Sequence, residues 1–101
     1  MPKRVDTNQR EIVAALRQVG ASVIMLYEVG HGCPDLLVGF RGQTYVLEIK
    51  TAKGRLTTDE WAWWQEWRGS GTVVRTVDEA LRAIGALPVA PEPTETRLER
   101  P

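Results

Sequence analysis

Cysteine occurs once in the 101 residues, at Cys33. That excludes an internal disulfide framework and any multi-cysteine zinc site. A reducing, cytoplasmic setting is the expectation that follows. No apolar run approaches the ~20 residues that span a bilayer, so no membrane association is expected. The opening Met1-Pro-Lys-Arg-Val-Asp has no apolar stretch behind its basic pair, which argues against a secretory signal. Net charge is missing too, since 13 basic residues balance 13 acidic ones. This counts against a general electrostatic nucleic-acid binder but leaves room for a local basic patch. P-loop, G-x-G-x-x-G and G-x-S-x-G patterns are all absent, so nucleotide cofactors and serine-hydrolase chemistry have no support. Histidine occurs once, at His31, and one imidazole makes no metal cluster.

Hydrophobic residues make up 43% of the chain and charged residues 26%, ordinary values for a soluble globular protein. The length suits one small domain. That domain is placed at residues 1–87. Residues 88–101 hold four of the six prolines, three glutamates and no aromatic residue, the composition of a flexible tail.

Asp6 or Thr7 is placed to cap a helix over Asn8–Val19, whose apolar face is Ile12, Val13, Leu16 and Val19. Gly20 ends it. Ala21–Val29, rich in β-branched and aromatic residues, predicts a strand. Gly30-His31-Gly32-Cys33-Pro34 is a turn in which Pro34 stops pairing. Leu36–Phe40 and Thr44–Lys50 predict two further strands, joined as a hairpin through Arg41-Gly42-Gln43. Thr51–Leu56 is a basic loop. Thr57 or Thr58 caps the next helix, which runs to about Arg68 with Asp59 and Glu60 in its first turn. A strand over Thr72–Arg75 and a helix over Val77–Ile84, capped by Thr76, complete the pattern. The order α-β-β-β-α-β-α describes an α/β domain with a central mixed sheet flanked by helices.

Residues Gly32–Lys50 carry the chemistry. Glu48 and Lys50 are two apart in a strand and share a face. With a two-residue turn at Arg41-Gly42, Phe40 pairs with Gln43 and Asp35 falls opposite Glu48. A three-residue loop shifts that register by one. Opposed side chains have Cβ atoms about 4.5–5.5 Å apart, so two carboxylates there repel and one titrates high. A divalent cation reverses the sign of that penalty, and oxygen ligands suit Mg²⁺ or Mn²⁺. Lys50 can neutralise the pair, orient a water or stabilise developing phosphate charge. An isolated E-x-K is more often a surface ion pair. Here Val46, Leu47 and Ile49 predict a buried strand, where an unpaired charge is costly.

Gly32–Phe40 (G-C-P-D-L-L-V-G-F) followed by Leu47–Thr51 (L-E-I-K-T) resembles the signature of the PD-(D/E)XK nucleases. More narrowly it resembles the stand-alone VRR-NUC type of bacteriophages and prophages. The likeness extends over about residues 6–85. It takes in Asn8–Arg17 (N-Q-R-E-I-V-A-A-L-R), Lys53–Thr57 (K-G-R-L-T) and Val73–Leu81 (V-V-R-T-V-D-E-A-L). P-D and E-x-K are short, but their order, spacing and flanks together are specific. The resemblance implies a single-domain, restriction-endonuclease-like fold. It also implies a Mg²⁺-dependent endodeoxyribonuclease acting in the host cell on branched, flapped or junction DNA, with Mn²⁺ as a substitute. Asp35, Glu48 and Lys50 match its catalytic residues. Glu11, Asp35, Glu48 and the backbone carbonyl of Ile49 match its metal ligands. From the residues alone Glu11 is an unremarkable helix-surface acid, off the face of Ile12 and Leu16. Related nucleases often carry a glutamine early in the helix after the E-x-K strand. Here that stretch is Thr57-Thr58-Asp59-Glu60-Trp61, and the first glutamine is Gln65, a turn later.

Lys53 and Arg55 flank Gly54 and become natural phosphate contacts if a metal site lies beside them. His31 is read first as a turn residue, with substrate contact near Asp35 as its functional alternative. Cys33 has no base partner in sequence and is expected as a small filler. Trp61, Trp63, Trp64 and Trp67 fall within seven residues. Core packing is the favoured reading, with Trp61, Trp64 and Trp67 sharing a face. A surplus ring would serve a homodimer contact or stack on unpaired bases. Because one active site cuts one strand, a homodimer is expected of a nuclease this small. The competing functions are a catalytically weak or inactive nucleic-acid-binding or assembly module of the same fold, and a partner-binding protein using the tryptophan helix.

Overall fold

Arg41 and Gly42 set the sheet's register. Both have positive φ, 51° and 81°, the left-handed pair that a two-residue type I′ turn requires. In the computed structural model, which describes residues 7–88, this turn joins β2 (Leu36–Phe40) to β3 (Gln43–Ile49) and pairs Phe40 with Gln43. The ladder continues to Leu36 opposite Leu47, so the next positions, Asp35 and Glu48, face each other. β1 (Ser22–Met25) is antiparallel to β2, and β4 (Gly71–Val74) is parallel to β3. The mixed sheet has the order β1-β2-β3-β4. With α1 (Thr7–Gln18), α2 (Thr58–Glu66) and α3 (Val77–Ala83), the element order is the expected α-β-β-β-α-β-α. Thr7 opens α1; Asp6 and tail residues 89–101 lie outside the described residues. Among the described residues no helix is long and apolar enough to cross a membrane.

One sheet face carries the core. Ile12 and Leu16 of α1 and Ala80 and Ile84 around α3 pack on Leu36, Val38, Phe40, Leu47, Ile49 and Val74. Every second residue of β2 is buried there. On β3, Val46 to Ile49 are buried without a break, the mark of a central strand covered on both faces. Leu47 and Ile49 belong to the core cluster, whereas Val46 and Glu48 alternate to the opposite face. On that side Trp64 of α2 closes over Gly71, beside Val46.

The edges of several elements depart from expectation for local reasons. The first strand stops at Met25 rather than Val29. Leu26 N–H still donates to the Asp35 carbonyl at 2.8 Å, which extends the contact by one pair beyond Met25. The chain turns there, with Val29 N–H on the Leu26 carbonyl at 2.9 Å. The second helix ends at Glu66, not Arg68. Trp67 leaves it with ψ 132°, donates its indole N–H to the Ser70 carbonyl at 3.1 Å and stacks on Trp63 at 4.8 Å. Arg75 is not a strand residue. Its N–H donates to Glu79 at 2.7 Å as α3 begins, and its guanidinium binds the Thr51 and Gly54 carbonyls.

The core reading of the tryptophans is overturned. No residue of α2 is buried; Trp61 is 57% and Trp67 38% exposed, and Trp63 and Trp64 are half-buried. Trp63 also packs edge-on to Trp64, with ring centroids 5.1 Å apart. Three bulky rings on nine residues, with a fourth at the exit position, cannot all share one narrow seam, so Trp63, Trp64 and Trp67 pack on one another and Trp61 is left exposed.

The turn ahead of Asp35 is wedged against α2. Gly32 has φ +80°, and a Cβ there would meet the Asp59 carbonyl oxygen at 2.3 Å; Gly30 has φ +76° but open space. The left-handed conformation alone costs an alanine about 1–2 kcal/mol. Gly30→Ala is expected to cost about that much, and Gly32→Ala about 1–3 kcal/mol more through overpacking. Urea denaturation of the two variants measures the difference.

Candidate active site

Asp35 enters β2 directly after Pro34, and Glu48 and Lys50 come from the end of β3. The hairpin register brings the two carboxylates together. Asp35 Oδ2 accepts the Ile49 N–H at 2.7 Å, which clamps its side chain across the strand pair. Glu48 is 2% exposed, and its Oε1 is buried with no hydrogen-bond partner. Lys50 Nζ lies 3.7 Å from Glu48 Oε2 and 2.8 Å from Glu60 Oε1. Behind the lysine, Asn8 Nδ2 of α1 donates to the Lys50 carbonyl at 3.1 Å and ties the first helix to the strand.

Charge is unevenly matched in this cluster. Burial first, then the neighbouring Asp35 and Glu60 carboxylates, push the Glu48 carboxyl up from an ordinary 4.5 to about 8, and Lys50 only partly opposes them. Glu48 faces the Asp35 carboxylate, and a proton held between them also favours the neutral form. Burial would lift Glu60 as well, but the Lys50 ammonium and the Thr57 N–H hold it below its ordinary value. Lys50 is raised: its burial disfavours the charge, and the bridge to Glu60 outweighs that. Cys33 lies near the same two carboxyl groups. Burial, then Glu48 and Asp35, raise its thiol, so it stays protonated and fits the filler role expected of it.

Of the expected site residues, the fold therefore unites Asp35, Glu48 and Lys50. Glu11 is exposed on α1, and among the described residues no three His, Cys, Asp or Glu side chains gather as a cation-holding group. It is Asn8, one helical turn earlier, that touches the lysine strand. Ile49 contributes its N–H to Asp35. Lys53 and Arg55 are exposed in the loop after β3, and Arg75 pins that loop through the Thr51 and Gly54 carbonyls. His31 is exposed at φ 58°, in the turn that leads to Asp35. Gln65 is exposed near the far end of α2.

No family model, curated protein or solved structure matches this chain. The functional case rests on the site's own chemistry.

Glu60 is the member that the sequence reading missed. Its signal was present as a capping box. Thr57 Oγ1 accepts the Glu60 N–H at 3.1 Å, and Glu60 Oε1 accepts the Thr57 N–H at 2.9 Å. That reciprocal pair curls the glutamate back over the start of the helix, where Lys50 waits.

The pair fits a divalent cation. A buried carboxylate oxygen without a donor costs free energy that a cation would recover. Mg²⁺ is commonly held by one or two carboxylates, with waters and substrate phosphate oxygens filling the other positions. Without a cation, Glu48 ties stability to pH. The native state holds a proton that the unfolded chain releases above about 4.5. Stability is then full below that value and falls as pH rises through about 8. Thermal melts in EDTA across this window are expected to show the fall, on the order of a few kcal/mol. Glu48→Gln should flatten it and raise the melting temperature at the alkaline end.

Proposed function

We propose that this protein is a metal-dependent DNA endonuclease that hydrolyses phosphodiester bonds, with Mg²⁺ as cofactor and Mn²⁺ as substitute. The observation that carries the reading is the buried Glu48 carboxylate, facing Asp35 across the β2–β3 pair and lacking a donor on Oε1, with Lys50 two residues on. Within the proposal the α/β domain is a restriction-endonuclease-like, PD-(D/E)XK fold of the VRR-NUC type.

Asp35 and Glu48 would hold the cation, with the Ile49 carbonyl as a third oxygen and Glu11 as an outlying candidate. Bound there, the metal would supply Lewis-acid polarisation of the phosphate and a water of lowered pKa. The protein's own groups do the rest. The Ile49 N–H fixes the Asp35 carboxylate, so that its second oxygen is held in place. Lys50 keeps a full positive charge and can orient a water or meet charge developing on the phosphate oxygens. Lys53 and Arg55, exposed on the pinned loop, suit backbone phosphates and would set register without reading bases. His31, exposed in the turn that leads to Asp35, would touch substrate there. Among the described residues no base-reading module accompanies the site, so selectivity for branched, flapped or junction DNA is the proposed preference. A homodimer, acting in the host-cell cytoplasm, would cut both strands.

The isolation of Glu11 favours one alternative, a catalytically weak nucleic-acid-binding or assembly module of the same fold. Cleavage assays on duplex, single-stranded, 5′-flap, 3′-flap and four-way-junction DNA separate the two. A nuclease cuts at least one of these with Mg²⁺ or Mn²⁺ and none with EDTA, and Lys50→Ala is expected to slow it roughly a hundredfold or more. Glu48→Ala should abolish cutting while DNA binding persists. Binding without cutting of any substrate by the wild type would decide for the module.

A further inference from the structure

No motif assigns Glu60 a role, yet it makes the shorter of the two contacts to Lys50, 2.8 Å against 3.7 Å for Glu48. It is held there by more than that contact. The same Oε1 accepts the Thr57 N–H, and the Glu60 N–H is bound by Thr57 Oγ1. The backbone of Asp59 and Glu60 lies directly under Gly32, in the turn that delivers Asp35. Glu60 is thus fixed relative to both halves of the carboxylate pair.

An ammonium has three donors and no acceptor, and it takes the nearest anion. Without Glu60 the next carboxyl oxygen is Glu48 Oε2, 3.7 Å away. A direct Lys50–Glu48 bond would make the lysine an internal counter-ion, and an entering cation would have to displace it. With Glu60 present, Lys50 and Glu60 neutralise each other, and the Asp35 and Glu48 oxygens are left to a cation, which would take the place of the proton on Glu48. We propose that Glu60 is a positioning residue that holds the Lys50 ammonium off Glu48 and so keeps Glu48 open to a divalent cation. This rests on the reading of Asp35 and Glu48 as a cation-binding pair.

The test is calorimetric titration of Mn²⁺ alone into the full chain as wild type, E60Q, K50M and the double variant. Glutamine keeps an acceptor for the Thr57 N–H, so the cap survives, and thermal melts of each variant verify folding. E60Q is expected to weaken Mn²⁺ binding about tenfold in the wild-type background, the size of one charge-assisted hydrogen bond. In the K50M background the same change is expected to cost less than about twofold, because the effect runs through the lysine. Equal weakening in both backgrounds would mean that Glu60 acts only as a negative charge, and would overturn its positioning role. Unchanged affinity in E60Q would overturn it too. Absence of Mn²⁺ binding in the wild type would overturn the cation-binding pair itself, and the Glu60 role with it.

Discussion

The pairing of β2 with β3 is the constraint from which the core and the site both follow. A strand has two faces, and one register decides what appears on each. The two-residue turn at Arg41-Gly42 puts Leu36 against Leu47 and Asp35 opposite Glu48. A slip of one residue would send Leu47 and Ile49 out of the core and drive Glu48 in among Ile12 and Leu16. The hydrophobic term for the leucines and isoleucines, roughly 1.5–3 kcal/mol each, therefore enforces the carboxylate geometry. The apolar face holds the polar one in a position it would not adopt for its own sake.

That position is costly, and three partners compete to relieve it. A proton shared between Glu48 and Asp35 is one. The Lys50 ammonium is the second, but it is engaged at 2.8 Å by Glu60. A cation is the third. Structural ion pairs are normally matched one to one, whereas this cluster has the Asp35, Glu48 and Glu60 carboxylates around one lysine. The excess negative charge is what separates it from an ordinary cross-strand salt bridge, for which a matched pair suffices.

Much of this was legible in the residues. Element order, the turn and the Asp35–Glu48 opposition all follow from local chemistry. Alternation and a left-handed turn pair act within a few residues. What was missed depends on packing between distant segments. Nothing near Trp61–Trp67 in sequence says that Trp64 meets Gly71 of the sheet, that Trp63 and Trp67 stack, and that Trp61 is left in solvent. Glu11 and Asn8 lie one turn apart on the same helix, and only the docking of α1 in the folded chain decides that Asn8 meets Lys50. Glu60 lay between these cases. Its cap was readable from T-x-x-E, but its contact with Lys50 required the chain to return from α2 to β3.

The tryptophans also give the molecule an optical property. All four indoles fall between Trp61 and Trp67, so every tryptophan photon the protein emits comes from α2 and its first exit residue. The Trp63 and Trp67 rings, inclined by 21°, are close enough for their electronic transitions to couple. Trp61, next to Glu60, stands in solvent. Intrinsic emission therefore records the environment of one helix rather than an average over the fold, and that helix is the one whose first turn holds the site's lysine.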